Sequence, residues 1–347
     1  MKSNNMDNTS YLVGMTTNEL SSLAIRSGQP AFRGKQLADW IYRKYAAELS
    51  EMTNLPAAFK DTLNEEMKLH LGSIADVLKS RDGTAKYLIS LDQGQAVETV
   101  LLPYKDRVSA CVSTQVGCGV GCRFCATGMH GLERNLTAGE IVDQVLILGK
   151  ESPKRISHVV YMGMGEPLFN YDNTIKSIHL LNDEVGIAMR HITVSTVGIV
   201  PRIKMLAKEN LQITLAISLH APDDERRAKL IPIADRFPLK DLIPACKAYS
   251  EDTKRRITFE YMMLKDVNDS ISDAHELGKL LRGIMANVNL IPYNTVEGLP
   301  YEKPTSDKIG IFKSVLESVG LIVVQRMEKG NSVSGACGQL RYRKQTD

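Results

Sequence analysis

The residues best suited to chemistry are three closely spaced cysteines, Cys118, Cys122 and Cys125, in a C-x3-C-x2-C pattern. Structural zinc is normally closed by four protein ligands, and no second C-x2-C pair or spaced histidine pair follows nearby. A [4Fe-4S] cluster held by three cysteines instead leaves one iron open to a small-molecule ligand. We therefore expect an iron-sulfur site, with a structural zinc loop as the alternative.

A glycine-rich stretch, Gly163-Met164-Gly165-Glu166-Pro167, follows the next β-type run along the chain. Glycines at such a place let a ligand approach the backbone closely. Barrel enzymes build their active sites where their strands end. A tight turn is the ordinary interpretation, but the position after the cysteine loop favours a ligand site.

Three further cysteines lie outside the loop: Cys111, Cys246 and Cys337. A lone cysteine is most often a small buried hydrophobic residue. Cys246 matches no motif, and we expect it to be structural.

The elements that must position these residues are β-type runs alternating with helical segments from Arg107 onward, a pattern typical of βα units around a parallel sheet. Six regular strands predict an α/β fold with a partial, TIM-like (β/α)6 barrel. The predicted strands are Ser109–Gln115, His158–Met162, His191–Thr196, Ile213–Leu219, Ile257–Met263 and Asn287–Pro292, with Leu321–Arg326 as a later extra.

Upstream of the barrel, apolar residues recur at helical spacing from about Thr16 to Leu71. Turn signals around a β-type run then indicate a hairpin. We expect a small N-terminal helical accessory domain over residues 1–75, a β-hairpin-like extension over 76–106 and the barrel over 107–347. Within the barrel, Thr137 and Glu140 predict a helix-capping box, and Ser272 is a candidate cap for a helix to about Leu281.

Composition places the chain among ordinary globular proteins, with 43% hydrophobic and 24% charged residues in 347. The start, MKSNNMDNTS, lacks the apolar run of a secretory signal, and no stretch of about 18 apolar residues occurs, so we expect a cytoplasmic protein without a membrane segment. The net charge of +3 is only a weak indication of nucleic acid. Two short basic clusters, 254–256 and 341–344, could contact phosphates, although such runs are more often solvated faces.

Over nearly its whole length the sequence resembles the RlmN and Cfr family of radical SAM (S-adenosylmethionine) RNA adenine methyltransferases. The cysteine loop and the glycine motif resemble the cluster and SAM motifs of the radical SAM superfamily. The other matching stretches are Val97–Val100, Cys111–Gly117, Arg134–Leu136, Val194–Thr196, Ile217–His220, Asn289–Asn294 and Ala336–Leu340. The last motif residue Pro167 and the sizeable N-terminal helical segment look more like the RlmN-type group.

The resemblance implies a [4Fe-4S] cluster on Cys118, Cys122 and Cys125, and SAM as the second cofactor. It assigns the SAM pocket to residues that mostly follow strand ends: Gly165, Glu166, Ser195, Ser218, Leu219, His220 and Asn294. Each has a structural alternative, since the serines could be satisfied hydroxyls, the histidine a hydrogen-bonded loop residue and the asparagine a turn former. Their shared place at strand ends favours a pocket.

The resemblance also gives roles to the remaining thiols. Cys337, in the C-terminal methyl-carrier loop, would accept a methyl group, because an adenine ring carbon bound to hydrogen is a poor nucleophile and a thiolate is a good one. After hydrogen removal the methyl carbon would join the base. Glu98 would take the ring proton, and Cys111 would resolve the RNA–protein adduct by forming a disulfide with Cys337. From the residues alone, we would predict that Glu98 is an ordinary exposed carboxylate on a strand.

One stretch departs from the family pattern, because Lys329–Gly335 lacks the acidic residues that relatives usually carry before the carrier cysteine. The implied partners are 23S rRNA, tRNA as a second candidate substrate and an electron donor such as flavodoxin, with the chain a monomer. Two alternatives are Cfr-type methylation of adenine C8 and a non-catalytic RNA-binding protein with a structural metal loop. The second would leave Glu98, Cys111 and Cys337 without a purpose.

Overall fold

The structure is a computed structural model that describes residues 10–92, 94–327, 329–330 and 333–341. Part of the sequence discussed above therefore lies outside the described residues. This applies to residues 1–9, to Asn331 and Ser332 of the segment before Cys337, and to the basic cluster beyond Arg341.

The N-terminal region is helical, as the apolar spacing predicts, and its ends meet in a short parallel pair, Ser10–Tyr11 with Met67–Lys68. The first helix begins with a capping box between Thr16 and Glu19. Gly34 lets the second helix approach it closely, because a Cβ there would lie 2.2 Å from the backbone nitrogen of Ser21. The helices are α1 (Thr17–Arg26), α2 (Phe32–Ala38) and α3 (Ala57–Glu66).

Ten strands form one continuous sheet, which curves as the partial barrel of the radical SAM fold. In chain order the strands of the protein are β1 (Ser10–Tyr11), β2 (Met67–Lys68), β3 (Gly72–Lys79), β4 (Ala85–Leu91), β5 (Ala96–Pro103), β6 (Val108–Cys111), β7 (Gln115–Gly117), β8 (Leu132–Asn135), β9 (His158–Tyr161), β10 (Ile192–Thr196), β11 (Thr214–Ser218), β12 (Ile257–Met263), β13 (Ala286–Pro292) and β14 (Ile322–Gln325). The sheet order is β14-β13-β12-β11-β10-β9-β6-β5-β4-β3. Neighbours from β6 through β14 are parallel, so the active-site end of the barrel is the end where these strands stop.

The structure differs from the expected elements in two places. The hairpin-like extension is a meander of three antiparallel strands that begins at Gly72 and joins the barrel through β5 and β6. The first barrel strand ends at Cys111, because the chain then leaves the sheet and Gln115–Gly117 pairs with Leu132–Asn135 instead. That small ribbon encloses the cysteine loop.

The remaining helices are α4 (Ala138–Glu151), α5 (Tyr171–His179), α6 (Val200–Lys208), α7 (Asp224–Leu230), α8 (Leu239–Thr253), α9 (Ile271–Leu280) and α10 (Ser306–Ser318). The capping box of Thr137 and Glu140 is confirmed at the start of α4. The prediction of Ser272 as a cap is wrong. Ser270 caps α9, because its hydroxyl accepts the N–H of Asp273 at 3.1 Å and its own N–H donates to the Asp273 carboxylate at 3.0 Å.

A buried pair joins the N-terminal region to the barrel. The Asp143 carboxylate of α4 contacts the His70 ring and accepts the N–H groups of Leu71 and Gly72 at 2.8 and 3.0 Å. Burial alone would lower the pKa of His70, but hydrogen bonding to Asp143 and its charge outweigh burial and raise that pKa. The meander that carries Glu98 is therefore fixed to α4 at its first strand.

Candidate active site

The three cysteines of the loop all line one cavity at the end of the barrel, with about 820 Å³ of empty volume including its mouth. The loop starts at Gly117, whose φ of +75° and position against Gly131 exclude a side chain, since a Cβ would lie 2.1 Å from the Gly131 carbonyl oxygen. This close approach lets the Cys118 N–H donate to the Gly131 carbonyl at 2.7 Å. The ribbon of β7 and β8 thus closes the loop and turns its thiols toward the cavity.

Burial sets the protonation of these thiols when no metal is present. It raises the pKa of Cys118 to about 12 and that of Cys122 well above its ordinary value. Within the described residues, no three His, Cys, Asp or Glu side chains converge so as to hold a single metal ion. Three cysteine thiols lining one cavity are one ligand short of a closed zinc site and match a [4Fe-4S] cluster with one open iron.

The glycine motif lies against the chain between β6 and β7. The N–H groups of Gly163 and Glu166 donate to the Val112 carbonyl at 3.0 Å and to the Gln115 amide oxygen at 2.9 Å. A Cβ at Gly163 would lie 2.6 Å from the Val112 oxygen, and one at Gly165, where φ is +103°, would lie 2.7 Å from the Gln115 side chain. Only glycine fits both positions, and the motif forms a flat wall of the cavity.

Glu166 lies in that wall with both carboxylate oxygens engaged. One oxygen accepts the N–H of Leu168 at 2.9 Å and the other the N–H of Val197 at 2.8 Å. Burial raises the pKa of Glu166 to about 7, although these backbone hydrogen bonds lower it. The carboxyl therefore joins the motif to the end of β10 as well as lining the cavity.

The strand ends bring most of the other expected pocket residues to the same cavity. Ser195, Ser218 and His220 line it, whereas Leu219 points into the hydrophobic core and Asn294 lines an adjoining cavity. His220 accepts the Met262 N–H on Nδ1 at 3.0 Å, and burial lowers its pKa to about 3, so the ring is neutral.

The adjoining cavity contains the two remaining thiols of chemical interest. Cys111 and Cys337 both line it, and Cys337 lines the first cavity as well. Burial raises the pKa of Cys111 to about 12 and also raises that of Cys337. Each of the six cysteines lies within the described residues and is a free thiol, so no Cys111–Cys337 disulfide is present. The third thiol outside the loop, Cys246, is buried in the core as expected.

The loop that carries Cys337 is held against the cysteine loop. The Ala126 N–H donates to the Gly338 carbonyl at 2.8 Å, and the Thr127 hydroxyl donates to the Leu340 carbonyl at 2.6 Å. Asn294 donates weakly to the Cys337 carbonyl at 3.4 Å, while its own buried Oδ1 finds no partner among the described residues. A buried amide oxygen without a partner is costly, which indicates a polar ligand at this place.

Glu98 is the one proposed catalytic residue that lines neither of these two cavities. Its interpretation as an exposed strand carboxylate is wrong, because its side chain is buried and pairs with Lys86 at 2.9 Å. Its second oxygen accepts the Arg341 N–H at 2.8 Å. Glu98 thus anchors the chain just after the Cys337 loop.

Sequence reasoning missed Arg326 and Glu260, which line the cavity of the cysteine loop. The buried Glu260 accepts from the Asn289 amide at 2.7 Å, and Arg326 also lines the thiol cavity. A charged residue at the end of the last predicted strand was the available signal for Arg326. Within the described residues, no helix is long and apolar enough to span a membrane.

Comparison with known proteins agrees with this architecture. The Radical SAM superfamily model matches residues 112–278, and the model of the ribosomal RNA large subunit methyltransferase N-terminal domain matches residues 11–69. A protein of Syntrophomonas wolfei, described as a probable dual-specificity RNA methyltransferase RlmN, is 48% identical over 95% of this chain and 96% of its own. A protein of Clostridium acetobutylicum with the same description is 48% identical over 93% of this chain and 94% of its own.

Among solved structures, a radical SAM methyltransferase from Sphaerobacter thermophilus superposes with a TM-score of 0.93 at 43% identity, covering 96% of this chain and 99% of that one. The match spans both the helical region and the barrel, which argues against a non-catalytic protein with a structural metal loop. The chain therefore belongs to the RlmN family of the radical SAM superfamily.

Proposed function

We propose that this protein methylates C2 of an adenine in 23S rRNA, and in tRNA as a second substrate, through a methylated Cys337 and a transient RNA–protein adduct. Relatives described as dual-specificity RNA methyltransferases support RNA as the substrate class and support more than one RNA. The observation that carries the proposal is the position of Cys337. It lies in the wall shared by the cavity of the cysteine loop and the cavity of Cys111.

The residues present fit a [4Fe-4S] cluster and SAM. Cys118, Cys122 and Cys125 would hold the cluster, since their thiols line one wall without converging on a single ion. Gly163 and Gly165 line the same cavity, where backbone without side chains would let a ligand approach closely. When bound, the cluster and SAM supply a methyl group for a thiolate and, after one-electron reduction, a radical that removes a hydrogen atom.

The SAM site would extend from the glycine motif across the strand ends. Gly165 and Glu166 form one side, and Ser195, Ser218 and His220 form the other. Leu219 would contribute through its backbone, because its side chain is in the core. Asn294 would contribute its unpartnered Oδ1 from the adjoining cavity.

Three side chains of the protein would each carry out one part of the reaction. Cys337 accepts the methyl group as a thiolate, and after loss of one hydrogen atom the same carbon bonds to the adenine ring. Glu98 takes the ring proton. The adduct also loses one electron, which the bound cluster would accept. Cys111 then attacks the Cys337 sulfur as a thiolate and breaks its bond to carbon, and that carbon takes up a proton, which frees the methylated base and leaves a disulfide for an external thiol to reduce. We further propose a monomer that works in the cytoplasm with an electron donor such as flavodoxin.

The test is nucleoside mass spectrometry of RNA treated with anaerobically reconstituted protein and SAM carrying a trideuterated methyl group. We expect 2-methyladenosine whose methyl group has lost one deuterium, because Cys337-bound carbon gives up one hydrogen before it joins the base. Cys122→Ala should lose iron and activity. The matched control is Cys246→Ala, a buried thiol in neither cavity, which should keep both.

Two outcomes would contradict the proposal. A methyl group that keeps all its deuterium would mean direct transfer without a carrier. Methylation at C8 would keep the carrier chemistry but assign the protein the Cfr-type product.

A further inference from the structure

A third cavity, with about 670 Å³ of empty volume, opens beside the thiol cavity. Leu102, Tyr104 and Arg326 line both, so the two spaces adjoin. The remaining lining comes from the starts of β6, β9 and β10 and from the residues before them. The lining residues of the two cavities therefore form a continuous route from the surface beside these strand starts, past Arg326, to Cys111 and Cys337.

The charges along this route have one sign. Three arginines and two histidines line the third cavity, and no Asp or Glu is among its described lining residues. The thiol cavity adds Lys329, and the part of its lining that the structure describes contains no acid. We call this set the basic mouth, which consists of Tyr104, Arg107, His158, Arg190, His191, Arg326 and Lys329. Two acids lie close by among the described residues: the exposed Asp106, whose carboxylate lies 3.6 Å from the Arg107 guanidinium, and the buried Glu260, which lines the cavity of the cysteine loop together with Arg326.

The cations of the basic mouth are held in place before any ligand arrives. The Arg107 guanidinium lies 4.3 Å and the Lys329 ammonium 4.8 Å from the centre of the Tyr104 ring. Lys329 also donates to the Pro103 carbonyl at 2.6 Å. Ordering two long side chains in advance reduces the entropy cost of binding an anion.

The two histidines add a flat surface. Their rings stack with centroids 4.1 Å apart and an interplanar angle of 17°. Burial is the largest cause of a lowered pKa for His158, and the nearby positive charges of His191 and Arg107 lower it further. Stacked imidazole rings beside arginines are suited to a nucleotide, which has a flat base and a charged phosphate.

A general excess of charge does not explain this cluster, because the whole chain carries a net charge of only +3. Resting on the function proposed above, we infer that the basic mouth binds the phosphodiester backbone of the RNA beside the adenosine that reacts with Cys337. The occupant is an unpaired RNA strand, since a stacked duplex base could not reach the thiol.

The test compares RNA binding by the anaerobically reconstituted wild type and the double variant R107Q/R190Q. The probe is a fluorescein-labelled RNA hairpin with an unpaired adenosine. Its fluorescence anisotropy gives the affinity at several salt concentrations. Each phosphate contact on a single strand contributes about 0.7 to the slope of log affinity against log salt. Loss of two contacts should lower the slope by about 1.4 and weaken binding roughly 25-fold near 0.1 M salt. Iron content and SAM cleavage without RNA should not change.

The matched control is R202Q/R282Q, which removes the same charge elsewhere. Arg202 lies 5.1 Å over the Tyr171 ring, much as Arg107 lies over Tyr104, and Arg282 is exposed like Arg190. Wild-type affinity and salt slope in R107Q/R190Q would overturn the inference, as would equal weakening in the control. If either of these results is obtained with a wild type that methylates RNA, the proposed function stands and the inference about the basic mouth is wrong. If the wild type neither binds nor methylates RNA, both are wrong.

Discussion

Arg326 places a guanidinium beside Cys111 and Cys337, and its charge opposes the effect of burial on both thiols. Burial raises the pKa of Cys111 and of Cys337, whereas Arg326 lowers each. The thiolate is the form that accepts a methyl group. Arg326 therefore increases the fraction of Cys337 that can react at neutral pH.

Replacing Arg326 by methionine should raise the pKa of Cys337 further, because only burial and the nearby acids then act on it. The pH midpoint of Cys337 methylation should move upward, and the rate near pH 7 should fall about tenfold for each unit of that rise. Arg326→Lys should restore most of the rate. Mass spectrometry of the methylated peptide across a pH series measures this, and an unchanged midpoint in the methionine variant would refute the electrostatic role.

Glu98 combines a structural contact with the proposed role in proton removal. Its bond to the Arg341 N–H ties down the chain after Cys337, so release of that segment would free one carboxylate oxygen. Its partner Lys86 is almost fully buried, and removing only one of the two charges would leave the other unpaired at a cost of about 3–5 kcal/mol.

The double variant K86M/E98Q removes both charges while glutamine keeps an acceptor for Arg341. If Glu98 takes the ring proton, this variant should methylate Cys337 and form the RNA adduct but release product very slowly, so the adduct accumulates. Methylation of Cys337 and adduct formation by the double variant are its control for correct folding. A denaturing gel with labelled RNA shows the difference, and normal turnover by the double variant would remove Glu98 from the mechanism.

At the scale of elements, the glycine motif shows how a loop becomes a ligand wall. Gly165 combines a left-handed φ with a Cβ direction that leads into Gln115. By contrast, Gly310 in the exposed middle of α10 has an ordinary helical backbone and no neighbour within 4 Å of a built Cβ. The two positions form a matched pair for alanine substitution.

Gly165→Ala should destabilise the protein by about 1–3 kcal/mol through backbone strain and should weaken SAM binding at least tenfold by displacing the motif. Gly310→Ala should instead stabilise the protein by about 1 kcal/mol, because alanine is the better helix former. Urea unfolding gives the free energies, and calorimetric titration gives the SAM affinity. Unchanged SAM affinity in Gly165→Ala would show that the wall does not touch the ligand.

For the whole molecule, periodicity predicts the barrel well because each parallel strand is a short β-type run bounded by turns. His158–Met162 and Ile257–Met263 appear within a residue of their predicted ends. The same reasoning missed the burial of Glu98, since its partner lies on the neighbouring strand and no local pattern pairs them. It also missed the basic mouth, whose residues come from separate strands and meet only through the curvature of the sheet.

The site residues show the same difference between local patterns and contacts of distant segments. Residues within one motif, such as the three loop cysteines, could be grouped from spacing alone, and the strand-end serines could be grouped from the barrel. Asn294 and Arg326 could not be placed with Cys337, because that neighbourhood depends on where the C-terminal loop crosses the barrel. Contacts between distant segments set this path.

The most direct measurement is a denaturing gel of labelled RNA after reaction with Cys111→Ala and Cys337→Ala under reducing, anaerobic conditions with SAM. If Cys337 carries the methyl group and Cys111 resolves the adduct, Cys111→Ala should retain RNA covalently bound through Cys337, because no thiol can attack that sulfur. Cys337→Ala should show no adduct and no methylated RNA. Methylated RNA from Cys337→Ala, or loss of activity in both variants without an adduct in either, would contradict the account.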